Sequence, residues 1–434
     1  MNDRVSILIR SSARPELADA LACLVAQTHR NLEAVIVNVT GRPHPPLPDN
    51  ARALTVAFVD PGVQLPRPLA ANAALDAATG DFLLFLDDDD LLEPDHVALA
   101  LAGARAHPGM IAFGGAQICD EHGELQAIWP ANGFGRLEII ERIRMQPNTP
   151  LIARDAVDDV RFDPALPIFE DWDFWIRLSQ RLPFRPLPSN TAVCRLGLGT
   201  SGTGVGANFD MERTARESRP FHLKWEAERA ALAAEFATLG DAADAAIAAG
   251  DWRQAEDLCR HAHALKIWDA STLERLARVC AGTGDREGAR RFAAAAARAQ
   301  LLAPAPLTHD ALTRLEAHLR AGNACALAGE AQRADTEFVA ALALHEGDQT
   351  ACNGLANLRI AEGKLAEAER LLDQGTRYGD RVYPALVLKR GTLLEQLRRR
   401  DDARVLYRQL ATLAPRFAPA RDRLQALDAI AAAA

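Results

Sequence analysis

Residues 80–97 have the sequence GDFLLFLDDDDLLEPDHV, in which an apolar stretch ends in four consecutive aspartates. We predict a strand over residues 82–86, followed directly by the acidic run at residues 87–90. Four like charges in a row repel one another, so such a run is tolerated where a bound cation supplies positive charge. The alternative is a solvated acidic turn that caps a helix beginning near Pro94.

Apolar strands alternate with amphipathic helices through the first 220 residues. We predict strands at residues 5–9, 33–37, 54–59 and 82–86, and helices at residues 16–27 and 69–78. This alternation is typical of an α/β domain with a mostly parallel sheet covered on both faces. Ligands bind beyond the carboxyl ends of such strands, where Ser11, Asn38 and Asp87 would lie.

The chain beyond about residue 225 loses the strand pattern and becomes rich in alanine. Short turns followed by Ala-rich helices recur at Gly250, Gly284, Gly329 and Gly363, and a degenerate copy follows at Arg400. Successive copies are 34, 45, 34 and 37 residues apart, which resembles the tetratricopeptide repeat. The alanines expected where paired helices pack closely are Ala255, Ala289, Ala334 and Ala368. We predict an all-α solenoid, a join within residues 208–235, and domains at 1–220 and 221–434.

Composition and charge exclude several classes of protein. A chain of 434 residues is too long for one ordinary core, so two or three domains are expected. The net charge of −9 argues against a general binder of nucleic acid or anionic membranes. No apolar run approaches the roughly 20 residues of a transmembrane helix, and the first residues do not resemble a signal peptide. We therefore expect a cytoplasmic protein, with its seven scattered cysteines reduced.

Four stretches of the first half occur in the order typical of one enzyme family. They are RVSILIRSSARPEL at 4–17, QTHRNLE at 27–33, the acidic run, and FEDWDFWIRL at 169–178. Over roughly residues 4–205 the chain resembles family 2 glycosyltransferases of the GT-A type. The resemblance implies a Rossmann-like nucleotide-diphospho-sugar transferase of the hexosyltransferase kind, followed here by the solenoid of tetratricopeptide type.

The resemblance also implies roles for the acidic run. Asp87 and Asp89 have the Asp-x-Asp spacing, in which the first aspartate typically faces the ribose and the second the metal, with Asp90 as support. Mn²⁺ and Mg²⁺ prefer hard oxygen ligands, and as a Lewis acid either ion stabilises the charge of a departing diphosphate. Asp89 and Asp87 are therefore the implied metal ligands, and a nucleotide-sugar is the implied co-substrate.

Glu170 and Asp171 are the implied catalytic residues. By resemblance, Asp171 is the general base that takes the proton of the acceptor hydroxyl, and Glu170 orients the acceptor or the base. Direct attack opposite the leaving group inverts the anomeric carbon. The alternative is that both acids only stabilise the N-terminus of the helix that begins there, and the two roles are compatible.

Several positions depart from the family pattern, among them Asn38 and Ala71. Asn38 stands where an acid usually contacts the nucleotide base, although its amide still offers a donor and an acceptor. Ala71 precedes Asn72 where Arg-Asn is common, so a cation near the phosphates is missing unless Arg10 compensates. Ser11 and Asn72 complete the set of predicted nucleotide contacts, together with Asn38 and Asp87.

Two interpretations of the whole chain remain open. The first is an active transferase whose repeats bind a glycan or protein acceptor, or another protein partner. The second is a transferase-like scaffold without turnover, which Asn38 and Ala71 favour and which Asp87, Asp89 and Asp171 oppose. In either case the repeats have a simpler possible role, which is self-association, and no nucleic-acid partner is expected.

Overall fold

The computed structural model describes residues 3–198, 211–302 and 309–432. The strands are β1 (Val5–Ser11), β2 (Leu32–Asn38), β3 (Thr55–Val59), β4 (Phe82–Asp87), β5 (Leu91–Leu92), β6 (Ile111–Phe113), β7 (Ala116–Cys119), β8 (Leu125–Trp129), β9 (Pro150–Ala153), β10 (Phe184–Pro186) and β11 (Ala192–Arg195). The helices of the first 300 residues are α1 (Leu17–Val25), α2 (Arg67–Ala77), α3 (His96–Ala106), α4 (Arg136–Glu141), α5 (Glu170–Ser179), α6 (Met211–Ala249), α7 (Trp252–Leu265), α8 (Ala270–Gly282) and α9 (Arg286–Leu302). They are followed by α10 (His309–Leu327), α11 (Ala331–Leu344), α12 (Gln349–Ala361), α13 (Leu365–Arg377), α14 (Pro384–Gln396), α15 (Arg400–Leu413) and α16 (Ala418–Ala432).

The chain forms two compact units. The first contains residues 1–124 and 129–292, and the second contains residues 125–128 and 293–434. The predicted join at residues 220 and 221 marks a change of sequence pattern, and it stays a prediction. In the structure, the last strand ends at Arg195 and the next helix begins at Met211. The glycine-rich segment 199–210, which precedes that join, lies outside the described residues.

A seven-stranded sheet forms the centre of the first unit, in the order β10-β6-β9-β4-β1-β2-β3. Strand β1 is parallel to β2 and β4, β2 is parallel to β3, and β10 is parallel to β6. Strand β9 is antiparallel to both of its neighbours. A smaller sheet pairs β11 with β5 and β7. The prediction of a GT-A-like α/β domain with a mostly parallel sheet is therefore confirmed.

The central strands are buried on both faces. Every residue of β2 is buried, and Arg10 is the one residue of β1 that is partly exposed. Because helices cover both sides of a parallel sheet, such strands consist of near-continuous apolar runs. The exception at Arg10 lies next to the carboxyl end of β1, at the edge of the sheet where the acidic run follows β4.

An aromatic core connects β4 to α5. The rings of Phe162 and Phe174 are stacked with centroids 4.2 Å apart, and Phe85 contacts Phe162 edge-on at 5.3 Å. Trp175 is fully buried and also contacts Phe85 edge-on. These contacts fix the start of α5 relative to the end of β4, although 83 residues separate Asp87 from Glu170. The two acidic motifs are therefore held by one rigid core.

The first helices after residue 211 pack on this same core. Phe221, Trp225 and Leu232 of α6 and Leu265 of α7 belong to the buried cluster that contains Phe85 and Trp175. Helices α6 to α8 thus lie within the first unit, although their Ala-rich sequence resembles that of the second.

The C-terminal region is all-helical, as predicted. The turns predicted from the repeats contain glycines with positive φ, namely Gly250 (73°), Gly284 (84°), Gly329 (77°) and Gly363 (75°), a conformation that glycine adopts without steric cost. Of the predicted packing alanines, Ala255, Ala334 and Ala368 are completely buried and Ala289 is partly buried. Assignment of these helices to the tetratricopeptide type stays a prediction. Within the described ranges, no helix has both the length and the apolar composition needed to cross a membrane.

Gly354→Ala is expected to destabilise the second unit. Phe338 of α11 lies between Gly322 of α10 and Gly354 of α12, and a Cβ at residue 354 would lie 2.5 Å from Phe338 Cζ. Overpacking of this kind costs about 1–3 kcal/mol, which outweighs a gain of up to about 1 kcal/mol from replacing a helical glycine. Urea unfolding followed by circular dichroism measures the difference.

Gly240→Ala is the matched control. The atoms nearest to a Cβ there would belong to the guanidinium of Arg275, with Nη1 at 3.3 Å, and this side chain can move. We expect this variant to be as stable as the parent or slightly more stable. Equal stability of Gly354→Ala and the parent would contradict the packing argument.

Candidate functional site

Strands β1, β2 and β4 end side by side at the candidate site. Ser11 is in register with Asn38, and Arg10 is in register with Asp87. Parallel strands direct their carboxyl ends to one edge of a sheet, where ligands of open α/β folds bind. The predicted placement of Ser11, Asn38 and Asp87 at this edge is therefore observed.

A cavity of about 90 Å³ lies at this edge and combines acidic with basic side chains. Its lining consists of Arg10, Ser12, Arg14, Val39, Leu65, Arg67, Asp87, Asp88 and Asp89. Three guanidinium groups thus face the same space as three carboxylates. Sequence reasoning had assigned the neutralising charge of the acidic run to a bound cation, and the structure shows that arginines already supply part of it.

Each of the first three aspartates has an arginine partner. Asp87 Oδ1 accepts hydrogen bonds from Arg10 Nη2 at 2.6 Å and Arg10 Nε at 3.2 Å. Arg14 donates to Asp88 and also to Asp89 Oδ2, the latter at 3.1 Å. Burial alone would raise the pKa of Asp87, but Arg10 and Arg67 outweigh burial and hold that pKa at about 2. Asp87 is therefore a permanent anion at neutral pH.

Asp90 has a different environment from the other three. Its side chain accepts hydrogen bonds from Asn148 Nδ2 at 3.1 Å and from the backbone N–H of Arg195 at 3.0 Å. Burial, and then the charges of Asp87 and Asp89, raise the pKa of Asp90 well above its usual value. Asp90 therefore connects the acidic run to β11 and is absent from the cavity lining, and its supporting role stays a prediction.

Glu170 lies between two arginines at the start of α5. Its Oε1 atom accepts from Arg67 Nε at 2.7 Å and from Arg10 Nη1 at 3.0 Å. Arg10 therefore connects Glu170 to Asp87. The two motifs that carry the resemblance, FLDDDD and EDWDFWIRL, meet at this one guanidinium.

Asp171 follows Glu170 and has a perturbed acidity. Burial and the neighbouring charge of Glu170 raise the pKa of Asp171 to about 6, against the opposing effect of Arg67. A carboxylate with a pKa close to the working pH is suited to accept a proton. The residue before the pair, Phe169, has a φ of 60°, a left-handed conformation that is rare for a bulky residue.

The remaining predicted nucleotide contacts have protein partners of their own. Asn38 donates to the Arg42 carbonyl and to Asp60 Oδ1, and its Oδ1 accepts from the Thr40 N–H and hydroxyl. Ser11 Oγ shares a hydrogen bond of 2.8 Å with His44 Nε2. Asn38 and Ser11 therefore shape the loop after β2, and their contact with a nucleotide stays a prediction.

Asn72 also lies away from the cavity lining. Its amide donates to the Phe162 carbonyl at 2.9 Å and accepts from the Phe162 N–H at 2.7 Å. These two bonds hold α2 against the segment before α5. A direct contact between Asn72 and a nucleotide likewise stays a prediction.

Sequence reasoning assigned no role to Arg14 and Arg67. Ala71, where the family often has arginine, is buried in the core of the first unit, while Arg67, four residues earlier at the start of α2, lines the cavity. The cavity thus contains a guanidinium that comes from one helical turn before Ala71. The sequence did contain a sign of this arginine, because Arg67 lies one turn before the expected position, on the same face of the helix.

Comparisons with known proteins identify a family for the N-terminal part of the chain. Residues 64–154 match the family model described as glycosyl transferase family 2; the match includes α2 and the acidic run and ends before Glu170. The amylovoran biosynthesis glycosyltransferase AmsB of Erwinia amylovora is 24% identical over 216 residues, which are 45% of this chain and 71% of AmsB. The uncharacterized glycosyltransferase YwdF of Bacillus subtilis (strain 168) is 23% identical over 198 residues, covering 44% of this chain and 73% of YwdF.

Among solved structures, the matches to this chain include S. aureus TarS. Its crystal structure is 14% identical, with a TM-score of 0.39 over 67% of this chain and 55% of the TarS chain. A structure of TarS residues 1–349 in complex with UDP-GlcNAc gives 14% identity and a TM-score of 0.41 over 67% of this chain and 90% of that one. From the family match and the two glycosyltransferase relatives, the N-terminal part of this chain contains a glycosyl transferase family 2 domain, and the protein is a glycosyltransferase.

Proposed function

We propose that this enzyme transfers a sugar from a nucleotide-diphosphate donor to an acceptor hydroxyl, with a divalent cation and with inversion at the anomeric carbon. The observation that carries the proposal is the link from Asp87 through Arg10 to Glu170. This link joins the predicted donor side of the site to the predicted acceptor side, where Asp171 is the second residue of α5. Donor phosphates and the acceptor hydroxyl would then meet at one edge of the sheet.

The residues at the cavity fit a Mn²⁺ or Mg²⁺ ion. Mg²⁺ is usually bound through one or two carboxylates together with substrate phosphates and water, and rarely by an all-protein cage. Asp87 and Asp89 supply two carboxylates, and their side-chain hydrogen bonds to Arg10 and Arg14 involve one oxygen of each. No group of three or more His, Cys, Asp or Glu residues suited to a metal occurs in the described parts of the chain, so donor phosphates would complete the coordination. When bound, the cation would act as a Lewis acid for the leaving diphosphate.

The arginines add a second source of positive charge. Arg10, Arg14 and Arg67 all line the cavity, and planar guanidinium groups suit the recognition of phosphate oxygens. Their bonds to Asp87, Asp88, Asp89 and Glu170 hold them in place before a ligand arrives. We propose that they bind and orient the donor phosphates beside the acidic run.

Asp171 is the proposed general base and Glu170 the residue that orients it. Glu170 has two arginine partners, and its neighbouring charge contributes to the raised pKa of Asp171. Near neutral pH Asp171 is mostly ionised but still basic enough to accept the proton of a sugar or protein hydroxyl. Attack from this side, opposite the diphosphate, inverts the anomeric carbon.

For the acceptor we propose a chemical class, and for the helices of the second unit a type of binding partner. We propose a glycan or a protein as acceptor, with the tetratricopeptide-like helices of the second unit binding the acceptor or a partner protein, or a second copy of the chain. These alternatives separate in simple experiments, since self-association is measured by light scattering without any substrate.

A titration of nucleoside diphosphates tests the proposed function. Uridine, guanosine and thymidine diphosphates are titrated calorimetrically into the full chain, with Mn²⁺ and with EDTA. We expect one of them to bind at least ten times more tightly with Mn²⁺, and its sugar conjugates to release it on incubation with the enzyme. Absence of binding by all three under both conditions would contradict the proposal.

Arg67→Gln is expected to shift the pH dependence of the reaction. The positive charge of Arg67 lowers the pKa of Asp171, so its removal raises that pKa further above its ordinary value. Because the deprotonated base is the active form, kcat/KM at pH 6 should fall several-fold relative to the variant's own plateau at pH 8. A pH–rate profile from pH 5 to 9 measures this, and an acid limb unchanged from the parent would contradict the assignment.

A further inference from the structure

Asp173 anchors the side of α5 that faces away from the proposed base. Successive helical residues are rotated by about 100°, so residues 171 and 173 project in nearly opposite directions. Asp173 is fully buried, and its carboxylate has three donors: Lys224 Nζ at 2.8 Å, Trp225 Nε1 at 3.0 Å and Arg177 Nε at 2.9 Å. Two of these three donors belong to α6.

Aromatic contacts also join α6 to the residues on either side of Glu170 and Asp171. Phe221 of α6 packs on Trp172, with ring centroids 4.5 Å apart, and contacts Phe169 edge-on at 5.5 Å. Phe169 is the residue with the rare left-handed conformation just before Glu170. Such conformations persist where surrounding packing enforces them, and here α6 supplies that packing.

A second anchor comes from the turn between α7 and α8. The backbone N–H groups of Ile267 and Trp268 donate to the buried carboxylate of Glu138 in α4, at 3.1 and 3.2 Å. The neighbouring Ile139 carbonyl accepts from Trp172 Nε1 at 2.5 Å. Helix α4 thus connects the α7–α8 turn to the same catalytic helix.

We propose that α6 and the α7–α8 turn are part of the catalytic apparatus, with Lys224 and Trp225 as positioning residues that hold Asp171 through Asp173. This inference rests on the proposed role of Asp171 as the base. The α/β part of the chain therefore does not complete the site alone. It needs α6 and the α7–α8 turn, whose Ala-rich sequence resembles that of the later helices. A buried carboxylate is stable only with such partners, so loss of one partner changes the position of α5.

Lys224→Met in the full chain tests the proposal. It removes the charge and keeps most of the aliphatic stem, while Arg177 still pairs with Asp173. We expect kcat for release of nucleoside diphosphate to fall about 10- to 100-fold, as for a misplaced catalytic group, with KM for the donor within about two-fold of the parent. The acid limb of the kcat profile should move, and amide hydrogen exchange in residues 170–179 should become faster.

Three further variants separate positioning from general stability. Lys224→Arg should restore most of kcat, and Trp225→Phe, which removes the indole N–H together with part of the ring, should give a smaller loss. Asp163→Asn removes the other partner of Lys224, at 2.6 Å, and should leave kcat within about two-fold of the parent, the range of a surface change.

The outcomes distinguish this inference from the proposed function. If exchange in α5 and kcat are both unchanged in Lys224→Met, the positioning role is wrong, whatever Asp171→Asn shows. If Lys224→Met lowers nucleotide affinity and melting temperature along with kcat, the role of Lys224 is merely structural, and the inference is also overturned. Substantial transfer by Asp171→Asn would instead refute the base assignment, and the exchange data, which need no substrate, would still report on the anchor.

Discussion

Asp89→Ala is expected to remove the Mn²⁺-dependent part of nucleotide binding. Asp89 lines the cavity beside Asp87 and is one of only two carboxylates proposed to hold the ion. With Asp89 gone, the ion keeps one protein ligand, and Arg14 loses one of its two acidic partners. We expect affinity for the nucleoside diphosphate in Mn²⁺ to fall about 10- to 100-fold, the range for a lost charged contact in a partly buried site. Calorimetric titration with Mn²⁺ and with EDTA measures it.

Asp95→Ala serves as the control for this substitution. Asp95 is an exposed aspartate six residues further along and makes no side-chain capping bond at the start of α3. The control should bind nucleotide like the parent in both solutions, while Asp89→Ala should bind equally weakly with Mn²⁺ and with EDTA. If Asp89→Ala keeps a parent-like gain from Mn²⁺, the ion is held elsewhere and the proposed metal ligands are wrong.

The strands and their common edge were predictable from the sequence because their signals are local. The apolar runs at β1, β2 and β4 are long enough to indicate buried parallel strands, and those of β1 and β2 are also rich in Val and Ile. Residues that end such strands meet at one edge. Ser11, Asn38 and Asp87 could therefore be placed together without a structure. Their partners could not, since a side-chain amide such as that of Asn38 can serve a ligand or its own loop equally well.

The arginines of the site were not predictable from local signals. Arg67 reaches Glu170 across 103 positions of sequence, a distance that depends on how α2 and α5 pack and on no pattern within either helix. Arg14 follows the end of β1 in a loop, where its direction is set by tertiary contacts with Asp88 and Asp89. A formal count of charges showed the acidic run but not the cations that face it.

The role of α6 to α8 was hidden for a related reason. Periodicity shows which face of a helix is apolar but not which surface covers it. The Ala-rich pattern placed these helices with the repeats, whereas Phe221, Trp225 and Leu265 pack on the core of the first unit. Bulky aromatics at Phe221 and Trp225, unlike the alanines that dominate later helices, were the available sign of a different partner.

Asp171→Asn is expected to stop transfer while sparing donor binding. The amide is nearly isosteric with the carboxylate but cannot accept the proton of the acceptor hydroxyl, so kcat should fall about 10²- to 10⁴-fold. The donor side of the cavity, around Asp87 and Arg10, is untouched, and calorimetry with Mn²⁺ should give parent-like affinity for the nucleoside diphosphate. Parent-like turnover by this variant would end the base assignment.

The same variant has a predictable effect on stability, and measuring that effect tests whether misfolding causes the loss of activity. The pKa of Asp171 is raised from its ordinary 3.8 to about 6 by burial and by Glu170, so the folded state binds its proton more tightly than the unfolded state. Its charge therefore destabilises the fold increasingly as pH rises from about 4 to above 6, and the neutral amide removes that cost. Asp171→Asn should melt at the same temperature as the parent near pH 4 and at the same or a higher temperature at pH 8. A lower melting temperature at pH 8 would show that the carboxylate is needed for the fold, and the kinetic result could then not be assigned to the missing base.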